Sequence, residues 1–132
     1  MLEYARHLVS IVDDDPSVCE ATISLLKANG FRARCFPSAE EFLNCPELGE
    51  TSCLILDLRL SGMSGLELLD RLVKANTRLP VIFITAHGTR EAQEEAMRAG
   101  AIAFLSKPFS EEALLNSIHS ALGATPNTKE RK

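Results

Sequence analysis

Short apolar runs alternate with helix-forming stretches along this chain, five times over, and few architectures accept that pattern. Leu8–Val12 is a β-branched run. Asp15-Pro16 follows, a helix cap with proline at the first helical position. Val18, Ala21 and Leu25, with Thr22 and Leu26, then mark one helical face that Gly30 ends. Arg32–Phe36 alternates charged and apolar residues, as a half-exposed edge strand does. Ser38 and Glu41 have capping-box spacing before a short helix that buries Phe42 and Leu43. Cys53–Leu56 is an uninterrupted apolar run ending at Asp57, the pattern of a strand buried on both faces. After the loop Leu60–Met63, Ser64 and Glu67 repeat the capping spacing, and Leu66, Leu69 and Val73 form a stripe flanked by Leu68 and Leu72. Val81–Ile84 is a second fully apolar strand, ending at Thr85. The helix expected over Thr89–Ala99 offers only Ala92, Ala96 and Met97 as an inner face. Ala103–Leu105 is the fifth strand, and Ser110 caps a last helix carrying Leu114, Leu115, Ile118 and Leu122, closed by Gly123.

Strand and helix in strict alternation give an α/β, doubly wound parallel sheet with helices on both faces and right-handed crossovers. The chain has 132 residues, enough for one domain with a real core and no need of disulfide or structural metal. Residues 1–122 are expected to form that domain, and 123–132 a tail or the start of a linker, polar and ending in basic residues. The net charge of −4 argues against direct nucleic-acid contact by this domain. No apolar run approaches the ~18 residues of a membrane span, and the first ten residues lack a signal-peptide pattern. The four cysteines (19, 35, 45 and 53) form no C-x-x-C pair and lie in or near apolar stretches. They read as buried, reduced thiols, which places the chain in the cytoplasm. His7, His87 and His119 share no zinc-ligand spacing.

In sheets of this kind ligands bind beyond the carboxyl ends of the strands. The first strand ends in Asp13, Asp14 and Asp15, the third in Asp57, the fourth in Thr85 and the fifth in Ser106-Lys107-Pro108. Acids, a hydroxyl and a lysine thus converge on one rim. Carboxylates brought together repel, and a divalent cation removes that cost. Oxygen ligands without Cys or His favour Mg²⁺. Asp57 is suited to attack phosphorus, forming an acyl phosphate, and Lys107 to hold a phosphoryl oxygen. Asp15 reads as a helix cap only.

V-D-D-D-P at 12–16, L-D-L-R-L-S-G-M-S-G at 56–65, I-T-A-H-G at 84–88 and K-P-F at 107–109, in this order and each at a strand end, resemble the receiver domain of two-component response regulators. This is the CheY-like family, and the arginine after the acceptor segment and the T-A-H-G segment are most similar to its FixJ subgroup. The resemblance spans residues 7–122. It implies a five-stranded parallel sheet of order 2-1-3-4-5, flavodoxin-like in winding. It implies Asp57 as phosphoacceptor, Mg²⁺ held by Asp14 directly with Asp13 close by, by Asp57 and by the main-chain carbonyl of Arg59, and Lys107 paired with Asp57 or its phosphoryl group. Thr85 and the amide of Ala86 would bind the phosphoryl group, and Phe104 would be a switch aromatic that follows Thr85 inward. The Lys107-Pro108 bond would be cis. Arg59 and His87 would stand exposed beside the site, where the family tunes attack by water.

The implied function is a phosphorylation-activated switch and not an enzyme with a separate substrate. Its donor would be a sensor histidine kinase. Its output would pass through the face formed by residues 89–122, to a second copy of the chain or another partner. Whether a DNA-binding domain that controls transcription belongs after residue 124 is left open. One departure is visible: Leu60-Ser61 stands where the family often has Met-Pro before the loop glycine, which removes proline's stiffness. Two other readings compete. An aspartate-nucleophile phosphohydrolase needs a second acid two residues after the nucleophile, and Arg59 stands there. A receiver that works without phosphorylation would have no use for the acid–hydroxyl–lysine set. A nucleotide P-loop is absent, since no G-x-x-x-x-G-K-[ST] occurs.

Overall fold

The computed structural model describes residues 7–46 and 48–123. The expected tail at 124–132 lies outside them. Five strands, β1 (Leu8–Val12), β2 (Arg32–Phe36), β3 (Thr51–Asp57), β4 (Val81–Thr85) and β5 (Ala103–Ser106), make one sheet of order 2-1-3-4-5. All four pairings are parallel. The helices α1 (Pro16–Ala28), α2 (Ala39–Leu43), α3 (Gly65–Lys74), α4 (Arg90–Arg98) and α5 (Glu111–Gly123) fill the crossovers, and a 3-10 turn at Leu48–Glu50 leads into β3.

The central strands are apolar throughout because both faces of the sheet are covered. Leu54 and Leu56 of β3 face the core with Phe42 of α2 and Leu68, Leu69 and Leu72 of α3. Cys53 and Ile55 of the same strand face the opposite core, with Leu26 of α1 and Leu114 and Ile118 of α5. The edges read differently: β2 alternates exposed and partly buried residues, and β5 is only partly buried until the exposed Ser106. Five helix starts are capped by side chains in the order the sequence gives them. Asp15 Oδ1, Ser38 Oγ, Ser64 Oγ, Thr89 Oγ1 and Ser110 Oγ accept from amides two or three residues on, at 2.9–3.1 Å. Among the described residues Ser64 and Glu67 alone complete a reciprocal capping box; at Ser38 only the bond from Glu41 N to the serine hydroxyl forms.

Five expectations need correction. On α2 Phe42 is buried as expected, but Leu43 is only partly buried. On α1 the fully buried residues are Thr22 and Leu26, while Val18 and Leu25 are partly exposed and Ala21 is exposed. On α3 the buried stripe runs through Gly65, Leu68, Leu69 and Leu72, and Val73 is 54% exposed. The buried set has the i, i+3, i+4, i+7 spacing of one helical face, and Leu66 and Val73 lie one residue to its side. On α4 Ala96 alone is buried and Met97 is 41% exposed, so the inner face is thinner still than the sequence indicates. Finally, Cys19 of α1 and Cys35 of β2 are not thiols but a disulfide, with Cα atoms 5.9 Å apart. Neither is fully buried, and their sequence separation of 16 gave no sign of the pairing. Cys45 and Cys53 remain thiols, and burial pushes the Cys53 thiol up to about 12.

Candidate functional site

The expected acids, hydroxyl and lysine each stand at or just past a strand end. Asp13 follows β1 and is 1% exposed; Asp57 closes β3 at 5%. Because β1 and β3 are adjacent, their carboxylates meet although 44 positions separate them in the chain (57 − 13). Asp14, one residue on from Asp13, is exposed. Asp13, Asp14 and Asp57 each bring an oxygen into one group whose members all lie within 4.8 Å.

Lys107 crosses from the end of β5 to this group. Its Nζ donates to Asp13 Oδ2 at 3.0 Å and to Asp57 Oδ2 at 3.2 Å. The sequence suggested the partner Asp57 and missed Asp13. The Lys107-Pro108 peptide is cis, as the resemblance implied. Backbone amides take the remaining oxygens. Asp57 Oδ1 accepts from Arg59 N at 3.0 Å, and Asp13 Oδ1 from Asp15 N at 2.9 Å. Burial raises the Asp57 carboxyl above its ordinary value, and the Asp13 charge adds to that. The Arg59 amide and the Lys107 ammonium pull the other way without cancelling it. Burial alone would lower the Lys107 ammonium. The hydrogen bond to Asp13 and the charges of both carboxylates reverse the sign, so it stays firmly protonated.

Thr85 is fully buried at the end of β4, and its Oγ1 accepts from His87 N at 3.1 Å. Ala86, His87 and Arg59 are exposed beside the acids. Phe104, paired with Phe83 across β4 and β5, is partly buried against the α2–α3–α4 side of the sheet. Gly88 separates it from Thr85: a Cβ there would lie 3.2 Å from the Phe104 ring and 3.5 Å from Thr85 Cγ2, and would collide with Ser106 Oγ. Gly65 is tighter. A Cβ would stand 2.6 Å from the Asp57 carbonyl oxygen and 3.0 Å from the Phe83 ring. Both glycines lie in the quoted motifs, but only the packing shows why a side chain is excluded.

The loop after Asp57 lacks the stiffening proline and is tied from elsewhere. Glu40 of α2 reaches across, and its Oε2 accepts from Met63 N at 3.0 Å. Nothing in the sequence pointed to Glu40.

The donor set is three carboxylates and no soft ligand, which fits a hard divalent cation of the Mg²⁺ kind. The family model for the response regulator receiver domain matches residues 9–119. The chain belongs to this family. This receiver domain is 45% identical over 125 residues to the response regulator protein TmoT of Ectopseudomonas mendocina, a match covering 93% of the chain and 56% of TmoT. Among solved structures it is similar to the response regulator StyR (TM-score 0.84, 42% identity, 96% of this chain and 64% of that one). It is similar also to FixJ-N (TM-score 0.80, 37% identity, 89% and 94%). The receiver domain spans about half the length of the curated relatives it matches. Receiver domains of two-component response regulators are signalling switches, and the CheY-like sheet order seen here is the family's. No helix among the described residues is long and apolar enough to cross a membrane.

Proposed function

We propose that the domain is a phosphorylation switch in which Asp57 accepts a phosphoryl group from a sensor histidine kinase, in a Mg²⁺-dependent reaction. The observation that carries this reading is the Asp57 carboxylate itself. It is buried and grouped with two further acids, yet hydrogen-bonded by a lysine on the side of Oδ2. Three carboxylates against one ammonium leave the group with excess negative charge, which a divalent cation would neutralise. Asp13, Asp14, Asp57 and the carbonyl of Arg59 would hold the metal, which supplies charge neutralisation for the phosphoryl oxygens.

An Asp57 oxygen attacks phosphorus in line. The bond from phosphorus to the donor's imidazole nitrogen breaks, and the electron pair leaves with the donor. Lys107 holds negative charge on the transferred group. Thr85 gives up its bond from the His87 amide and donates to a phosphoryl oxygen, assisted by the amide of Ala86. Phe104 follows Thr85, past the gap that Gly88 leaves open. The face formed by residues 89–122 then changes, and α4, anchored through Ala96 alone, is the element there that moves at least cost.

Several relatives bear the name transcriptional regulatory protein, FixJ among them, and the chain matches 54% of one such protein. This supports phosphorylation as the control of a transcriptional output, with dimerisation through the 89–122 face as the relay. The site of action is then the cytoplasm, without direct DNA contact by residues 1–122.

The test is incubation with acetyl phosphate and Mg²⁺, read by intact mass, with Asp57→Asn as control. One phosphoryl group is expected on the wild type and none on the variant. An unchanged mass, together with no response of elution volume to beryllofluoride, would overturn the reading.

A further inference from the structure

We propose that Cys19 and Cys35 are a reversible thiol–disulfide modification site that locks the strand end presenting the acidic group. Three observations carry it. The Cα atoms are 5.9 Å apart, within the span that a disulfide bridges without backbone movement. Both cysteines are partly exposed, so small reagents reach them, in contrast to the buried Cys53. And the reduced state has a place ready: Cys19 Sγ lies 3.4 Å from the Asp13 carbonyl oxygen, so a thiol there donates to an existing acceptor. A pair that suits both states is a switchable one.

The bond also closes a ring around the acids. Cys19 lies in the first turn of α1, its amide bonded to the Asp15 carbonyl at 3.1 Å. Cys35 pairs with Ile11 across β1 and β2, and its neighbour Phe36 accepts from Asp13 N at 3.1 Å. The path from Asp13 through α1, the disulfide, Cys35 and Phe36 returns to Asp13. Oxidation therefore ties edge strand β2 and helix α1 together around the turn that carries Asp13 and Asp14. Reduction leaves that turn held by hydrogen bonds only.

The oxidant is a low-molecular-weight disulfide of the glutathione class. One cysteine thiolate attacks it, the reagent's S–S bond breaks, one reagent thiolate leaves and a mixed disulfide forms. The second cysteine thiolate attacks the protein sulfur of that intermediate, forms the Cys19–Cys35 bond and expels the second reagent thiolate. Two electrons pass from the protein pair to the reagent, and the two protons of the cysteine thiols end on the two reagent thiols.

The test equilibrates the whole chain in glutathione buffers of varied ratio, alkylates it after denaturation, and reads intact mass and peptide map. The expected oxidised species takes two alkyl groups where the reduced chain takes four, one per cysteine. Its bond maps to Cys19–Cys35, dithiothreitol abolishes it, and Cys35→Ser does not form it. Four alkyl groups at every ratio, a stable mixed disulfide with no internal bond, or pairing through Cys45 or Cys53 would overturn the site. The locking is read by hydrogen exchange of the Asp13 amide, expected about tenfold slower in the oxidised form. Equal exchange in the two forms would overturn the lock. Neither readout depends on metal binding or phosphorylation.

Discussion

Lys107 Nζ lies 3.0 Å from Asp13 Oδ2, joining the end of the last strand to the end of the first across 94 positions of the chain. Asp13 is almost wholly buried, and this ammonium is its only ion-pair partner among the described residues. Breaking a buried pair from one side leaves a charge without compensation. Lys107→Ala should therefore lower unfolding stability by about 3 kcal/mol in metal-free buffer. Mg²⁺ should restore part of that loss, because a cation again faces the carboxylates. Urea titrations with chelator and with Mg²⁺ check both halves; a variant as stable as the wild type in chelator would refute the account.

Asp57 gives the domain a pH dependence of definite sign. Its folded value is raised above 3.8, so the folded state holds the proton more tightly than the unfolded chain does. The fold is favoured with Asp57 protonated, and this contribution is lost as pH rises from about 4 through the raised value. Asp57→Asn removes the loss. In metal-free buffer the variant should melt above the wild type at pH 7, and the difference should shrink toward zero on acidification to below 3.8. Melting curves across that range decide it.

Gly65 tests the packing under Asp57. A Cβ meets the Asp57 carbonyl oxygen at 2.6 Å, a backbone atom that has no room to retreat. Gly65→Ala should cost about 1–3 kcal/mol, the usual penalty of overpacking, and should slow labelling by acetyl phosphate. Gly49→Ala is the control, since nothing lies within 4 Å of a Cβ there. Equal behaviour of the two variants would show that the close packing under Asp57 is without consequence.

The helices α4 and α5 differ in what holds them. Leu114 and Ile118 of α5 are fully buried, whereas α4 buries Ala96 alone. Leu114→Ala should cost about 2–5 kcal/mol, and Met97→Ala, at an exposed position, within about 0.5 kcal/mol. Amide exchange should be faster along Arg90–Arg98 than along Glu111–Gly123. Equal protection of the two would contradict α4 as the mobile element.

The strands were legible because both-face burial writes itself as unbroken apolar runs, as in Val81–Ile84, and the edge strand because Arg32–Phe36 alternates. The acids were legible because parallel sheets expose chemistry at one rim. Contacts between segments distant in the chain were not. The disulfide, the Glu40 bond to Met63 and the Lys107 bond to Asp13 each join elements whose separation carries no periodicity. Helix faces were only half legible. Val73 fits an apolar spacing on α3 yet points outward, since position relative to the sheet decides burial and apolar character alone does not.

The adjacency of β1 and β3, with Lys107 arriving from beyond β5, also sets when during synthesis the acidic rim is completed. Asp13 and Asp57 leave the ribosome early, but the charge that reconciles them is 50 residues behind Asp57. At roughly 5–20 residues per second of synthesis, a nascent chain carries its acids for several seconds before their partner exists. A chain that stopped before Lys107 would carry Asp13 and Asp57 without the ammonium that joins them, so the acidic rim is complete only once the last strand has been made.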